Sequence, residues 1–169
     1  MLTIREENSP DIEGVYRLNS KAFETNQEAD LVNRLRNNCD HFISLVAERK
    51  GHIIGHILFT PVELTGDSSE LNLMGLAPMA VLPEHQNTGI GSKLVEEGLK
   101  CCKLKNIDAV FVLGHPGYYP KFGFIPASEY GIKSEYDVPD DTFMAIELKS
   151  GILNGKFGTV KYNKVFEGL

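Results

Sequence analysis

Hydrophobic residues follow two different spacings along this chain, and the switches between them mark the secondary structure. Apolar residues recur at helical spacing in residues 12–23 and 27–37, and again from about residue 89, which predicts three amphipathic helices. Alternating or near-continuous apolar runs predict strands in the rest of the chain. The predicted strands span residues 2–6, 42–48, 52–64, 71–82, 108–113 and 142–148, and residues 160–162 are a candidate edge strand.

Proline, glycine and polar residues separate these elements. Ser9 is the expected N-cap of the first helix, and Pro10 is its expected first helical residue. A polar turn at residues 66–69 joins two of three consecutive antiparallel strands, and a glycine- and aromatic-rich stretch at 114–124 predicts a short helix or turn. This order of elements predicts a mixed α/β fold with a mostly antiparallel sheet flanked by helices.

Composition narrows the class of protein. A chain of 169 residues with 42% hydrophobic residues predicts one domain over residues 1–169, with 151–169 as its C-terminal extension. A net charge of −6 and the lack of a basic tract argue against a nucleic-acid partner. No signal pattern and no apolar run of about 20 residues occurs, so no membrane partner is expected. Three cysteines, an odd number, predict reduced thiols and a cytoplasmic location.

The segment at residues 81–94 carries the strongest chemical signal, because a strand there gives way to a helix through a glycine turn. The first N–H groups of a helix lack intrahelical partners and favour anions. Gly89 and Gly91 have no Cβ, so a phosphate can approach the backbone closely. The segment is not a P-loop, because the pattern Gly-x4-Gly-Lys-Ser/Thr does not occur. It is not a dinucleotide fingerprint either, because the third glycine of that motif is missing. Judged on the glycines alone, a plain strand-to-helix turn is the simpler alternative.

Two motifs resemble the GNAT superfamily of N-acetyltransferases. Gln86-Asn87-Thr88-Gly89-Ile90-Gly91 fits the family pattern Gln/Arg-x-x-Gly-x-Gly/Ala, and Met79-Ala80-Val81-Leu82-Pro83 is similar to the family's strand 4. Tyr118-Tyr119-Pro120-Lys121-Phe122-Gly123-Phe124 is similar to the family's Tyr-x-Lys-hydrophobic-Gly-Phe signature. Residues 28–36, 113–127 and 158–166 resemble the YhbS-like branch. The resemblance covers nearly the whole chain and implies the GNAT acyl-CoA N-acyltransferase fold.

The resemblance implies an enzyme that uses acetyl-CoA (coenzyme A) and moves the acetyl group directly to a primary amine. It places the diphosphate between Gln86 and Ser92, and the thioester near the end of strand 4. There the N–H of Val81 or Ala80 is expected to donate to the thioester carbonyl. The implied cofactor-binding residues are Met79, Ala80, Val81, Gln86, Asn87, Thr88, Gly89, Ile90, Gly91, Ser92, Tyr119 and Phe122.

Two residues are candidates for proton transfer. Tyr119 aligns with the family tyrosine that reaches the CoA sulfur, and a phenol with a pKa near 10 can protonate a thiolate at neutral pH. The alternative gives this polar role to Tyr118. Glu84 is the candidate base; the alternative is that its charge only complements the nearby helix N-terminus. Further candidates for the base are three histidines and a chain of waters. His52 and His56 are at positions of equal parity in one predicted strand, so they could line one face, and His115 follows the predicted strand 108–113.

The remaining expectations concern partners and competing functions. No His, Cys, Asp or Glu cluster has metal-site spacing, so no metal is predicted. The acceptor is expected to be a small-molecule or peptide amine, and the protein a monomer or homodimer. The absence of a clear base motivates an alternative, an acyl-CoA-binding sensor domain without efficient transfer. A weaker alternative is another nucleotide-binding protein that uses the same turn.

Overall fold

The computed structural model describes residues 1–66 and 70–167, so residues 67–69 of the predicted turn lie outside it. Its three α-helices and its longer strands agree with the sequence predictions to within two residues at each end. In chain order the elements are β1 (Leu2–Glu6), α1 (Ile12–Phe23), α2 (Gln27–Asn38), β2 (Ile43–Arg49), β3 (His52–Thr65), β4 (Leu73–Val81), α3 (Ile90–Leu104), β5 (Ala109–Leu113), β6 (Ile125–Pro126), β7 (Ile132–Ser134), β8 (Phe143–Glu147) and β9 (Gly158–Lys161).

The first helix starts differently from the prediction. Asn8 is the N-cap of a 3-10 turn, Ser9–Asp11, and Asp11 is the N-cap of α1 itself. The reason is the carboxylate three residues after the cap, because Asp11 accepts a hydrogen bond of 2.8 Å from the Asn8 N–H. The same carboxylate pairs with Arg5 at 2.7 Å, and this guanidinium lowers the pKa of Asp11. The prediction of Ser9 as N-cap is therefore wrong.

The strands form a mostly antiparallel sheet in the order β1-β2-β3-β4-β5-β8-β6, and β9 joins β3 to β7. Among the described strands, parallel pairing occurs between β4 and β5 and between β7 and β9. The prediction missed β6 and β7, because two or three residues are too few for a hydrophobic period to emerge. The predicted fold class, an α/β fold with helices flanking a mostly antiparallel sheet, is confirmed.

The helices cover opposite faces of the sheet. On one face, Val15 of α1 and Leu35 of α2 pack with Val46 and Leu58 of the sheet. On the other face, α3 packs against Ile57, Phe59 and Met74 with the residues Ile90, Leu94 and Val95. Gly98 allows α3 to approach closely, since a Cβ at this position would lie 2.5 Å from the Phe59 ring. This approach brings the N-terminus of α3 next to the end of β4.

Candidate active site

The sheet divides in the middle, next to the N-terminus of α3. In the described part of the chain, β5 pairs with β4 only from Ala109 to Phe111, opposite Leu73 to Gly75. Beyond Gly75, β4 continues alongside β3 alone as far as Val81. The pairing of β4 with β3 is also irregular near this point. Ile57 pairs with Met79 whereas Phe59 pairs with Leu76, so the register shifts opposite Leu58. We call the resulting gap, bordered by residues 76–81, the β4–β5 opening.

Hydrogen-bond alternation decides which backbone groups face this opening. The Leu82 N–H donates to the Ile54 carbonyl at 2.9 Å, so Leu82 and Ile54 are a hydrogen-bonded pair between β4 and β3. Bonded pairs of antiparallel strands alternate, so Ala80, opposite His56, also bonds to β3. Met79 and Val81 therefore direct their N–H and C=O groups away from β3, into the opening. Of the two N–H groups considered from the sequence, only that of Val81 faces the opening.

The side chain of Gln86 supports this arrangement. Its Nε2 donates to the Val81 carbonyl at 3.0 Å, and so satisfies a backbone acceptor that no neighbouring strand reaches. The same contact holds the loop between β4 and α3 against the edge of β4. Gln86 thus has a structural role that explains why a side chain with an N–H donor precedes the glycines.

The loop and the first turn of α3 present a row of free N–H groups. Lys93 makes the first helical hydrogen bond, to the Gly89 carbonyl, so the N–H groups of Ile90, Gly91 and Ser92 have no helical partner. Asn87 and Gly89 have positive φ values of 62° and 89°, which curve the loop around the helix end. Nothing lies within 4 Å of the position of a Gly89 Cβ. The arrangement fits a diphosphate, which needs several converging N–H donors and no side chain in the way.

The loop shares one wall with the opening. A Cβ on Gly91 would lie 3.2 Å from the Tyr118 hydroxyl, 3.7 Å from the Met79 methyl and 3.9 Å from Val81. The Tyr118 hydroxyl is also 3.1 Å from the Ser92 Oγ. The cofactor residues expected from the sequence at 79–81 and 86–92 are thus neighbours in space. Tyr118, which the expected cofactor set omitted, belongs to the same group of residues through its contact with Ser92, 26 positions earlier along the chain.

Tyr119 lies in an aromatic cluster on the β5 side of the opening. Its ring packs edge-on against Tyr118 at 5.0 Å and Phe124 at 5.7 Å, and Phe122 lies 6.4 Å away. Gly114, which follows β5, makes room for this ring, because a Cβ there would lie 2.3 Å from it. Tyr119 is 8% exposed, and burial raises its pKa to about 12. Its phenol therefore keeps its proton well above neutral pH.

The candidate bases are scattered. Glu84 is exposed on the 3-10 helix Pro83–His85 and lines an 840 Å³ cleft beside α1, together with Arg17 and His52. Neither residues 79–81 nor Tyr119 line that cleft. His115 caps its own turn, since its Nδ1 accepts a 2.9 Å hydrogen bond from the Gly117 N–H. Among the described residues, no group of three or more His, Cys, Asp or Glu side chains is arranged to hold a metal ion.

The two strand histidines do not share an environment. A bulge at Ile54 of β3, opposite Ala47 and Glu48 of β2, shifts the register, so that His52 is exposed and His56 is fully buried. The Nε2 of His56 is 2.8 Å from the Ser44 Oγ. Burial lowers the pKa of His56 to about 3, and the positive charge of Arg36 acts in the same direction. The imidazole is therefore neutral in the folded protein at physiological pH.

This burial predicts a loss of stability in mild acid. The unfolded chain has a histidine pKa near 6.5, so it takes up a proton as pH falls from 7 to 5, whereas folded His56 does not. The contribution of His56 is complete above pH 6.5 and declines toward pH 3, by about 2 kcal/mol between pH 7 and 5. Urea unfolding at the two pH values should show this loss in the wild type and not in His56→Gln. His52→Gln is the exposed control, and an equal loss in His56→Gln would contradict the assignment.

Three relatives are similar to this chain in sequence, and two of them also in solved structure. The chain is 33% identical to Escherichia coli YhbS, an uncharacterised N-acetyltransferase, over 98% of each chain. It is 37% identical to E. coli YjhQ, also named an uncharacterised N-acetyltransferase, over 78% of this chain and 74% of YjhQ. The crystal structure of YhbS in complex with CoA superposes with a TM-score of 0.90, over 98% of this chain and 91% of that one. A Brucella melitensis GNAT acetyltransferase in complex with acetyl-CoA is 30% identical, with a TM-score of 0.80 and 99% coverage of both chains.

Fold and site together define the class of N-acetyltransferases. The family model for the acetyltransferase (GNAT) domain matches residues 3–127, and this chain belongs to that family. The resemblance to the YhbS-like branch, drawn from the sequence motifs, is confirmed by the identity over nearly the full length. No helix in the described ranges, 1–66 and 70–167, combines the length and apolar character that crossing a bilayer requires.

Proposed function

We propose that this protein is an acetyl-CoA-dependent N-acetyltransferase that moves an acetyl group directly to a primary amine of a small molecule or peptide. One observation carries the proposal: the free N–H groups at the start of α3 adjoin the β4–β5 opening. A diphosphate bound by these N–H groups would leave the extended arm of the cofactor free to follow the exposed edge of β4. The relatives crystallised with CoA or acetyl-CoA support this choice of cofactor.

Each part of the opening has a proposed role. The N–H groups of Ile90, Gly91 and Ser92 bind the diphosphate, together with the loop residues Gln86 to Gly89. Met79 holds the pantetheine arm through its outward backbone groups, and the Val81 N–H polarises the thioester carbonyl. Bound acetyl-CoA supplies the activated acetyl group.

Proton transfer is assigned to Tyr119 and, as a prediction, to Glu84. Tyr119 is the proposed acid, because its phenol is protonated at neutral pH and lies in the aromatic cluster beside the opening. Phe122 packs beside Tyr118 at 5.3 Å and is proposed to line the same arm of the cofactor. Glu84 as the base stays a prediction, since its cleft does not include Tyr119. The free thiols of Cys39, Cys101 and Cys102 support a cytoplasmic location.

Isothermal titration with CoA tests the cofactor assignment. We expect binding at sub-millimolar concentration, and the absence of binding would remove the proposal. A screen of primary amines with acetyl-CoA, read as release of free thiol, then tests transfer. The position of Glu84, away from the cofactor residues, favours one alternative, an acyl-CoA sensor domain without efficient transfer. Robust turnover of any amine would eliminate the sensor.

A further inference from the structure

An exposed lysine lies on the aromatic cluster beside the β4–β5 opening. Lys121 belongs to the 3-10 helix Tyr119–Phe122, and no carboxylate among the described residues pairs with it. Its Nζ lies over the Tyr118 ring, 4.1 Å from the ring centroid, and 5.3 Å from the centroid of the Phe122 ring. Both distances are within the roughly 6 Å over which an aromatic face attracts a cation. Two aromatic rings therefore hold this ammonium group in place of an ion pair.

The lysine adds an electrostatic contact to the packing around Tyr118. This tyrosine is only half-buried, and the rings of Tyr119 and Phe122 contact it in edge-to-face geometry at 5.0 Å and 5.3 Å. The Lys121 ammonium lies over the face of the ring and favours the orientation that keeps the face beneath the charge. Removal of the ammonium would leave the Tyr118 ring with its packing contacts alone.

The orientation of Tyr118 matters because its hydroxyl reaches the proposed diphosphate site. The phenol oxygen lies 3.1 Å from the Ser92 Oγ, and a Cβ on Gly91 would lie 3.2 Å from it. Gly91 and Ser92 carry two of the free N–H groups at the start of α3. A cation over the ring also draws electron density from the phenol, which strengthens its O–H as a donor to Ser92. Contacts thus run without a break from Lys121 through Tyr118 to the edge of the anion site.

Two routes connect the charge of Lys121 with an anionic cofactor. In the first route the ammonium contacts a phosphate itself, and in the second it acts through Tyr118. The structure favours the second route, because the ammonium lies over aromatic rings and the phenol, not the lysine, meets Ser92. The routes differ in one measurable respect, since only the second requires the Tyr118 hydroxyl.

We propose that Lys121 is a positioning residue for the cofactor and keeps the Tyr118 hydroxyl on Ser92, at the edge of the diphosphate site. The inference rests on the proposed function. Tyr119, the proposed acid, also packs against Phe124, 5.7 Å away, and this contact does not involve the lysine. Loss of the Lys121 charge should therefore weaken cofactor binding and leave the chemical step in place. The loss of affinity should not exceed that of Tyr118→Phe, which removes the positioned hydroxyl itself.

A double-mutant cycle tests this proposal with the full chain, by isothermal titration of CoA. Lys121→Met removes the charge and keeps an unbranched side chain, so it should raise the Kd about twofold to fivefold, the usual effect of an exposed cation–π contact. In the Tyr118→Phe background, which keeps the ring but lacks the hydroxyl, the same change should raise the Kd by less than about 1.5-fold. Lys121→Arg should bind CoA nearly as the wild type does, because a guanidinium also stacks on aromatic rings. Steady-state kinetics should assign the effect of Lys121→Met to the KM for acetyl-CoA rather than to kcat.

Lys103→Met is the matched control, because it removes the same charge from an exposed position near the other end of α3. It should leave the Kd for CoA unchanged. An equal rise in Kd for Lys121→Met with and without the Tyr118 hydroxyl would show direct contact with a phosphate and overturn the inference. A wild-type Kd in Lys121→Met, or a Lys121→Arg variant as weak as Lys121→Met, would overturn it too.

Thermal unfolding without ligand checks that each variant is folded, which we expect because Lys121 is exposed. Failure of the wild type to bind CoA would refute the proposed function itself. Normal binding by the wild type together with any of the contrary results above would refute only the role of Lys121.

Discussion

Replacing Tyr119 by phenylalanine is expected to lower kcat about 100-fold, the usual size of a lost general acid, while the KM for acetyl-CoA changes by less than about twofold. The reason is that the ring packing against Phe124 and Gly114 is kept and only the proton is removed. Steady-state kinetics at saturating amine measure the effect. Because the pKa of Tyr119 is about 12, the wild-type rate should show no loss of this acid up to about pH 10.

Tyr118→Phe is the matched control for Tyr119→Phe. It removes the contact with the Ser92 Oγ, 3.1 Å away, at the edge of the diphosphate site. This variant should weaken CoA binding by a few fold and leave kcat largely intact. A large loss of kcat in Tyr118→Phe, with a wild-type kcat in Tyr119→Phe, would move the acid role to Tyr118.

Replacing Gly91 by leucine is expected to abolish useful cofactor binding, with a rise in the CoA Kd of about 100-fold or more, equivalent to about 2.7 kcal/mol. The added side chain would enter the space between Tyr118, Met79 and Val81, where even a Cβ has neighbours at 3.2–3.9 Å. Gly91 is the second residue of α3, so a leucine suits the local backbone. Isothermal titration measures the Kd, and thermal unfolding without ligand checks the fold.

Glu96→Leu controls for an added leucine on α3, since Glu96 is exposed on the same helix. It should bind CoA as the wild type does. If Gly91→Leu also binds CoA normally, the diphosphate does not lie at the start of α3 and the assignment of residues 86–92 is wrong. If the unliganded variant unfolds at a much lower temperature, Gly91→Ala provides the smaller test of the same position.

Local sequence patterns predicted most of the fold. Helices such as Ile12–Phe23 and strands such as His52–Thr65 show a period that side-chain burial imposes along a continuous stretch. Capping was less certain, because Ser9 and Asn8 are both good N-caps and Arg5, on the preceding strand, helps to fix the Asp11 carboxylate. The shortest strands left no period to detect.

The glycine loop proposed to bind the cofactor was predictable for the same reason, whereas the positions of the groups beside it were not. A glycine turn before a helix creates free N–H donors wherever it occurs, so Gly89 and Gly91 indicated an anion site. The choice between Val81 and Ala80 depends on the register with β3. The spacing of His52 and His56 suggested one shared face, and a bulge in the pairing of β2 with β3 placed one in solvent and the other in the interior.

The sequence by itself determined the family, the order of the elements and the glycine turn before α3, because each of these is written in residues that are neighbours along the chain. The tertiary structure alone decided which backbone groups face the β4–β5 opening and that Tyr118 meets Ser92. These features depend on strand register and on packing between distant segments. Neither leaves a local pattern of hydrophobic and polar positions.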